Sequence, residues 1–476
     1  MRRAWFSVEK MPGLRYDSPM IYDLVVIGGG PAGYVGAIRA AQLGKSVLCI
    51  ERGEVGGTCL NRGCIPTKAL LESAAVFTTV TQRAAEFGIL VPQATADWSA
   101  VVARSRKVCE RLSNGVGFLL KKNKVQFLNG EARLEGAGRV EVTLPDGSTQ
   151  SVQASRILIA TGACPREIPA FPFNGRTIIS SKEALLLPEL PESMLVIGSG
   201  AIGAELSCIY RSFGTQVTLV EALPRLLPRE DEDISATVER EFRKQGITCY
   251  TGAAVESVQE VEGGISATVS TGAGRVQVQA AVCLVAAGVQ PVVPAGPELT
   301  ERGFIRVNKR YETSLPGVYA VGDCIGGAML AHKASYEAVQ AVQGMFTEHT
   351  PKPAVNVPSC YYMHPQVASV GKTEQELKAC NIPYKVGKIP FRSIGRAVAA
   401  GEAEGFVKLL FGKTDGELLG AHLVGPHATE LVTAPGLALA AELTDADIES
   451  MIYAHPTLSE AIHEAVLAAD GLAIHA

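Results

Sequence analysis

The sequence predicts an α/β protein with two Rossmann-like dinucleotide-binding domains, followed by an α+β C-terminal domain. A G-x-G-x-x-G pattern occurs twice, each time after an apolar strand and before a helical pattern and a second strand that ends in Glu. The first glycine and this acid are 23 residues apart in both copies, Gly28 to Glu51 and Gly198 to Glu221. Beyond residue 353 the pattern changes to strands followed by helices, which indicates a separate domain.

The composition limits the classes of function. The 476 residues suffice for three or four domains with substantial cores. The net charge of −4 arises from mixed charges of both signs, and no apolar run approaches a membrane span. We therefore expect neither a nucleic acid nor a membrane as a partner. The 11 cysteines are scattered, which favours a cytoplasmic location over a secreted disulfide framework.

The first fingerprint begins with the apolar strand at residues 21–27. Gly28, Gly30 and Gly33 allow the backbone to approach a pyrophosphate at the N-terminus of the following helix. The carboxylate of Glu51, at the end of the next strand, is placed to accept hydrogen bonds from ribose hydroxyls.

The second fingerprint has the same parts, Gly198, Gly200 and Gly203 followed by Glu221. Two complete fingerprints predict two bound dinucleotides, which purely structural Rossmann units would not explain. A carboxylate at position 221 would repel a 2′-phosphate, so this copy is expected to bind NAD and not NADP.

Two cysteines, Cys59 and Cys64, lie five positions apart in the segment GGTCLNRGCIPTKALL. Five residues of regular helix rise about 7.5 Å, whereas the Cα atoms of a disulfide lie within about 7 Å. Gly63 and Pro66 permit an irregular backbone that would bring the sulfurs together. The spacing does not suit zinc, so the pair is either redox-active or structural.

This segment resembles the active-site disulfide of the flavoprotein disulfide reductases, and most closely that of the members that oxidise dihydrolipoyl groups. Other segments match the same family: ILIATG at 157–162, TSLPGVYAVGD at 313–323, MLAH at 329–332 and HPTLSE at 455–460. The resemblance covers residues 22–469. It implies FAD in the first nucleotide fold, NAD in the second, and a homodimer whose interface lies in the last domain.

The resemblance also implies the roles of the reactive groups. Cys59 and Cys64 form a redox-active disulfide, in which Cys59 is attacked by the substrate thiolate and Cys64 lies beside the flavin. The implied function is the NAD-dependent oxidation of dihydrolipoyl groups on a lipoylated carrier domain. That carrier would belong to a 2-oxo acid dehydrogenase or glycine cleavage complex.

Four further residues complete the expected catalytic set. His455 is the base that deprotonates the dithiol in the site of the other subunit, and Glu460 orients its ring. Lys68 and Glu205 lie beside the reactive flavin nitrogen, where the cation stabilises negative charge on the reduced ring and the carboxylate compensates the cation.

The resemblance assigns residues to the two cofactors, and no metal site is predicted. The residues expected at FAD are Gly28, Gly30, Gly33, Glu51, Gly57, Thr58, Lys68, Ala132, Thr161, Gly162, Asp323, Met329, Leu330, Ala331 and His332. The residues expected at NAD are Gly198, Gly200, Gly203, Glu205, Glu221, Val255, Ala287 and Gly288.

The sequence departs from the family pattern at three places. Val289 replaces an Arg, Tyr453 replaces a His, and Pro435 interrupts an expected interface helix. Among related activities, Glu221 disfavours a glutathione reductase, and the lack of any cysteine after Cys380 disfavours a mercuric reductase. The redox cysteines disfavour a soluble transhydrogenase, and a non-catalytic redox sensor is the alternative of a different class.

The predicted domain organisation follows these motifs. The segments are an N-terminal extension at 1–20, an FAD-binding domain at 21–165, an NAD-binding domain at 166–290, a second part of the FAD and central region at 291–352, and a dimer-interface domain at 353–476.

Overall fold

The computed structural model describes residues 21–475, so the predicted extension at 1–20 lies outside the described residues. The described chain forms two compact units. The first comprises residues 21–57, 115–162 and 291–353, and the second comprises residues 58–114, 163–290 and 354–475. The predicted division into domains stays a prediction.

The first unit is built on a seven-stranded sheet. Its central strands are parallel, which buries both of their faces and explains the continuous apolar run of Ile21–Ile27. The strands in spatial order are Gln126–Asn129, Val47–Glu51, Ile21–Ile27, Thr149–Ile159, Arg139–Thr143 and Glu131–Leu134, and Val318–Ala320 also pairs with Thr149–Ile159. The helices that lie wholly in this unit are Pro31–Gln42, the 3₁₀ turn Gly322–Ile325 and Ala331–Phe346.

The second unit contains another parallel sheet. Its strands in spatial order are Thr248–Tyr250, Gln216–Val220, Ser193–Ile197, Val282–Val285 and Ile178–Ile179. Its helices are Ser181–Ala184, Ala201–Ser212 and Glu232–Lys244. The remaining strands of this part are the antiparallel set Ala254–Val261, Gly264–Thr271 and Gly274–Ala280, and the short Ala163–Pro165 and Val289–Pro291.

The cysteine segment forms two consecutive helices in the second unit. The first helix is Gly57–Arg62 and the second is Cys64–Thr78, and Gly63 separates them. A π-helical turn at Thr79–Arg83, a 3₁₀ turn at Ala84–Phe87 and the long helix Trp98–Lys122 follow. Trp98 is buried, and its indole N–H donates to the carbonyl of Leu187.

The C-terminal part of the second unit is a five-stranded antiparallel sheet with helices. Its strands in spatial order are Ser359–Tyr361, Gln366–Gly371, Leu418–Gly425, Phe406–Gly412 and Tyr384–Pro390. Its helices and turns are Glu374–Ala379, Phe391–Ser393, Gly395–Ala399, Ala428–Leu431, Thr433–Ala440, Asp445–Glu449 and Glu460–Ala469.

Close packing fixes the last of these helices, which carries Glu460. A Cβ at Gly387 would lie 1.7 Å from the carbonyl oxygen of Ala465, so the helix can approach the edge strand only at a glycine. Pro435 lies in the first turn of Thr433–Ala440, where its missing N–H leaves no helical hydrogen bond unmade. This explains why the expected interface helix is divided in two.

Among residues 21–475, no helix combines the length and the apolar character needed to cross a membrane.

Candidate functional site

The two motif cysteines lie on either side of a helix break. Gly63 has φ −146° and ψ −113°, which ends the first helix, and a Cβ there would lie 3.1 Å from the carbonyl oxygen of Thr58. Cys64 is the first residue of the second helix, whose N-terminus favours a negative charge. The predicted irregular backbone therefore forms at Gly63. It brings the two free thiols into hydrogen-bond contact.

The contact makes the two sulfurs chemically different. The hydrogen bond from Cys59 and the nearby ammonium of Lys68 together lower the pKa of Cys64 to about 7, against the effect of burial. The same hydrogen bond, together with burial, raises the pKa of Cys59 far above its ordinary value. The first proton to leave the dithiol is therefore the proton of Cys64.

Lys68 and Glu205, which the resemblance placed together, form an ion pair. The ammonium Nζ lies 2.9 Å from Oε1 and 2.7 Å from Oε2 of Glu205, whose side chain is 4% exposed. The main-chain N–H of Tyr362 donates to Oε1 at 2.9 Å, and Nζ lies 4.5 Å from the centre of the Tyr362 ring. A desolvated carboxylate thus holds the cation one helical turn after Cys64.

His455 and Glu460 form a second pair, in an open setting. Nδ1 of His455 lies 2.8 Å from Oε1 of Glu460, and the N–H of Thr457 donates to the other carboxylate oxygen at 2.8 Å. These two hydrogen bonds outweigh partial burial and lower the pKa of Glu460, which keeps it ionised at neutral pH. The His455 side chain is 77% exposed, so Nε2 is accessible.

Both glycine fingerprints adopt the predicted backbone. Gly28 has φ +107°, and a Cβ there would lie 2.3 Å from the carbonyl oxygen of Ala160. A Cβ at Gly33 would lie 1.8 Å from the carbonyl oxygen of Gly28, and one at Gly203 would lie 1.8 Å from that of Gly198. The first and third glycines are therefore required by the packing of the turn itself.

The middle glycines face open space instead. A Cβ at Gly30 would meet only Gly57, at 3.9 Å, and one at Gly200 would meet no described atom within 4 Å. Each of these glycines precedes a helix of 12 residues, Pro31–Gln42 or Ala201–Ser212. A helix N-terminus with space before it accepts phosphate, so the residues present fit two dinucleotides.

The acids that end the second strands are held in similar ways. The carboxylate of Glu51 accepts from the N–H of Gly29 at 2.6 Å and from the N–H of Gly53 at 2.7 Å. Glu221 accepts from the N–H of Ser199 at 2.8 Å and from the N–H of Leu223 at 2.9 Å. Of the other residues expected at NAD, Val255 lies in the strand Ala254–Val261, and Ala287 and Gly288 lie between the strands Val282–Val285 and Val289–Pro291.

The remaining residues expected at FAD divide between the units. Thr58 and Lys68 belong to the second unit, and the others belong to the first. Asp323 lies in the 3₁₀ turn after Val318–Ala320, and burial raises its pKa. The hydroxyl of Thr161 donates to the carbonyl of Val292. The other members of this set lie in a strand, a turn and a helix start: Ala132, Gly162, Met329, Leu330, Ala331 and His332.

Comparison with known families decides the assignment. The family described as pyridine nucleotide-disulphide oxidoreductase matches residues 22–338, and its dimerisation domain matches residues 357–466. This chain belongs to the pyridine nucleotide-disulphide oxidoreductase family. Membership confirms the predicted resemblance and fold class.

Individual members of the family are similar over nearly the full chain. A dihydrolipoyl dehydrogenase of Chlorobaculum parvum is 45% identical over 94% of this chain and 97% of its own length. A mitochondrial dihydrolipoyl dehydrogenase of Arabidopsis thaliana is 39% identical over 99% of this chain and 94% of its own length. The crystal structure of LpdA from Mycobacterium tuberculosis has a TM-score of 0.86 and 28% identity, covering 93% of this chain and 98% of that protein.

Sequence reasoning missed two residues of the site. Tyr362 contacts both Lys68 and Glu205 although it lies 157 positions from Glu205, and no local pattern marked it. Ser199 stands within the second fingerprint, between its first two glycines, where the first fingerprint has Gly29. Comparing the two fingerprints position by position would have drawn attention to it.

Proposed function

We propose that this chain is a dihydrolipoyl dehydrogenase, which oxidises protein-bound dihydrolipoyl groups with NAD as the final acceptor. The observation that carries the proposal is the contact between Cys59 and Cys64 at a helix break, beside the ion pair of Lys68 with the buried Glu205. Similarity to dihydrolipoyl dehydrogenases over nearly the whole chain supports it. A redox sensor would not need the ordered His455–Glu460 pair in addition.

The cysteines and the histidine carry out the thiol–disulfide exchange. His455 takes a proton from one substrate thiol, and the resulting thiolate attacks Sγ of Cys59. The Cys59–Cys64 bond breaks, and its electron pair stays on Cys64 as a thiolate. The second substrate sulfur then attacks the sulfur bound to Cys59, forming the disulfide product. Cys59 leaves with the second proton as a thiol, so two electrons have entered the pair.

The charges of the site suit this sequence of steps. A good leaving sulfur has a low pKa, and that of Cys64 is the lower of the two. Lys68 stabilises the Cys64 thiolate. When Cys64 no longer carries the negative charge, Glu205 still balances the Lys68 cation.

Two cofactors complete the proposal. FAD would lie along the Gly28–Gly33 turn and Glu51, and NAD along the Gly198–Gly203 turn and Glu221. When bound, FAD would serve as the electron carrier between the reduced Cys59–Cys64 pair and NAD, which receives the electron pair as hydride.

The proposal includes a homodimer. The dimerisation domain and the exposed side chain of His455 suit a base that acts in the site of a second subunit. The physiological substrate is a lipoylated carrier domain of a 2-oxo acid dehydrogenase or glycine cleavage complex, and the proposed location is cytoplasmic.

A steady-state assay of the purified holoenzyme tests the function. Dihydrolipoamide and a dihydrolipoylated carrier domain should each be oxidised with the production of NADH. Glutathione disulfide with NADPH should give no comparable rate. Failure to reduce NAD with either dithiol, in protein that contains FAD, would reject the proposed activity.

A further inference from the structure

At position 199, next to the carboxylate of Glu221, the second fingerprint has a serine where the first fingerprint has a glycine. We propose that Ser199 is a positioning residue that fixes the Glu221 carboxylate and thereby sets the preference for NAD over NADP. The inference rests on the proposed function, because it concerns the acceptor of that reaction.

Ser199 holds the acid and an adjacent loop together. It is completely buried, and Glu221 is 7% exposed. The main-chain N–H and the hydroxyl of Ser199 both donate to Oε2 of Glu221, at 2.8 and 2.7 Å. The hydroxyl also accepts from the N–H of Leu227 at 3.2 Å. Since the carboxylate only accepts and the amide only donates, both hydrogen-bonding directions of this hydroxyl are determined.

The first fingerprint lacks this support. Glu51 accepts from two main-chain N–H groups, those of Gly29 and Gly53, and from no hydroxyl at the position equivalent to Ser199. A Cβ at Gly29 would lie 3.1 Å from Cβ of Glu51, so this turn has little room for a side chain. The hydroxyl is therefore an addition of the second fingerprint to a shared arrangement.

The extra hydrogen bond restricts how Glu221 can respond to its ligand. A carboxylate held by three donors cannot turn away from a 2′-phosphate, so the repulsion is retained in full. The same fixed oxygens are oriented in advance for ribose hydroxyls, which lowers the cost of binding NAD. Loss of the hydroxyl should therefore weaken the binding of NAD, reduce the repulsion of the NADP 2′-phosphate, or do both. Each change lowers the preference for NAD over NADP.

The test compares Ser199→Ala and Ser199→Gly with Ser207→Ala. Ser207 is also completely buried, and its hydroxyl has no hydrogen-bond partner among the described residues. It lies in the helix that follows Gly200, so its replacement is a matched control for removing a buried hydroxyl. Ser199→Gly gives this turn the residue that the first fingerprint carries, which guards against a folding failure of the alanine variant.

The ratio of kcat/KM for NAD to that for NADP should fall about three- to tenfold in both Ser199 variants, which corresponds to the net contribution of one typical hydrogen bond. It should be unchanged in Ser207→Ala. Competitive inhibition of the holoenzyme by ADP-ribose and by 2′-phospho-ADP-ribose should show the same change in ratio, independently of turnover. Ratios unchanged in both folded Ser199 variants, or lowered equally in Ser207→Ala, would overturn the inference. A wild-type enzyme that uses NADP as well as NAD would instead refute the acceptor assigned in the proposed function.

Discussion

The cysteine pair Cys59–Cys64 and the histidine His455 serve the same proposed reaction, but the charged groups beside them differ in burial. The carboxylate beside the cysteines, Glu205, is 4% exposed and binds a cation that is 30% exposed. The carboxylate beside the base, Glu460, is 27% exposed, and His455 is 77% exposed. Charges interact more strongly where water is excluded, so Lys68 can tune a thiol within one chain. Glu460 orients His455, which is otherwise exposed in this chain, and this suits the proposal that a second subunit completes its surroundings.

The largest effect on activity is expected from substitutions in the cysteine pair. Cys64→Ser would prevent the proposed Cys59–Cys64 disulfide, so dihydrolipoamide oxidation should fall by about four orders of magnitude or more. After reduction, Cys59→Ser should retain the long-wavelength absorbance of a thiolate beside flavin, and Cys64→Ser should lose it. Cys380→Ser, at an exposed cysteine, is the control. If the absorbance survived Cys64→Ser, the roles of the two sulfurs would have to be exchanged.

At the exposed His455–Glu460 pair, His455→Gln should lower the rate of dihydrolipoamide oxidation by about two to four orders of magnitude, the usual contribution of a general base. FAD content and dimerisation should not change. His475→Gln is a matched control, because His475 pairs with Glu464 at 2.8 Å and is 67% exposed in the same way. An equal loss in both variants would speak against a specific role for His455.

Mixing chains sharpens the comparison further. Heterodimers of Cys59→Ser and His455→Gln chains contain one intact site if the base acts across the subunit boundary. Subunit exchange should therefore restore about half of the wild-type activity per heterodimer. Heterodimers that form and stay inactive would place the base and the disulfide of each site in one chain.

Glu460→Gln should cost less than His455→Gln, about tenfold in kcat/KM, because the carboxylate orients the ring without taking the proton. The depressed pKa of Glu460 means that its stabilising interaction is present above its ordinary pKa and is lost as the pH falls through the lowered value. The wild-type rate at neutral pH should therefore not depend on Glu460 titration. A rate loss as large as that of His455→Gln would indicate a direct role in proton transfer.

The smallest effect concerns the tuning of Cys64. In the reduced wild-type enzyme, the thiolate–flavin absorbance should appear as the pH rises through about 7. Lys68→Met should move this midpoint upward by about one unit, and Glu205→Gln should move it downward, since Lys68 lowers and Glu205 raises the pKa of Cys64. A pH titration of the absorbance measures both shifts. Shifts of the same sign would contradict an electrostatic origin.

Local patterns determined much of this protein. The fingerprints, the acids at the strand ends and the helix break at Gly63 depend on residues close together in the chain, so the sequence by itself predicted them. The family resemblance of the HPTLSE segment implied the pairing of His455 with Glu460, and in the structure Nδ1 of His455 lies 2.8 Å from Oε1 of Glu460.

Only the tertiary structure decided which distant groups control the site. Tyr362 reaches Glu205 and Lys68 because strand and helix packing brings together residues 157 positions apart, which no local spacing encodes. The burial of Glu205 and the exposure of His455 likewise depend on what packs around each side chain. The hydroxyl of Ser199 was visible in the sequence, but its partners depend on how the strand end, the turn and the following loop meet.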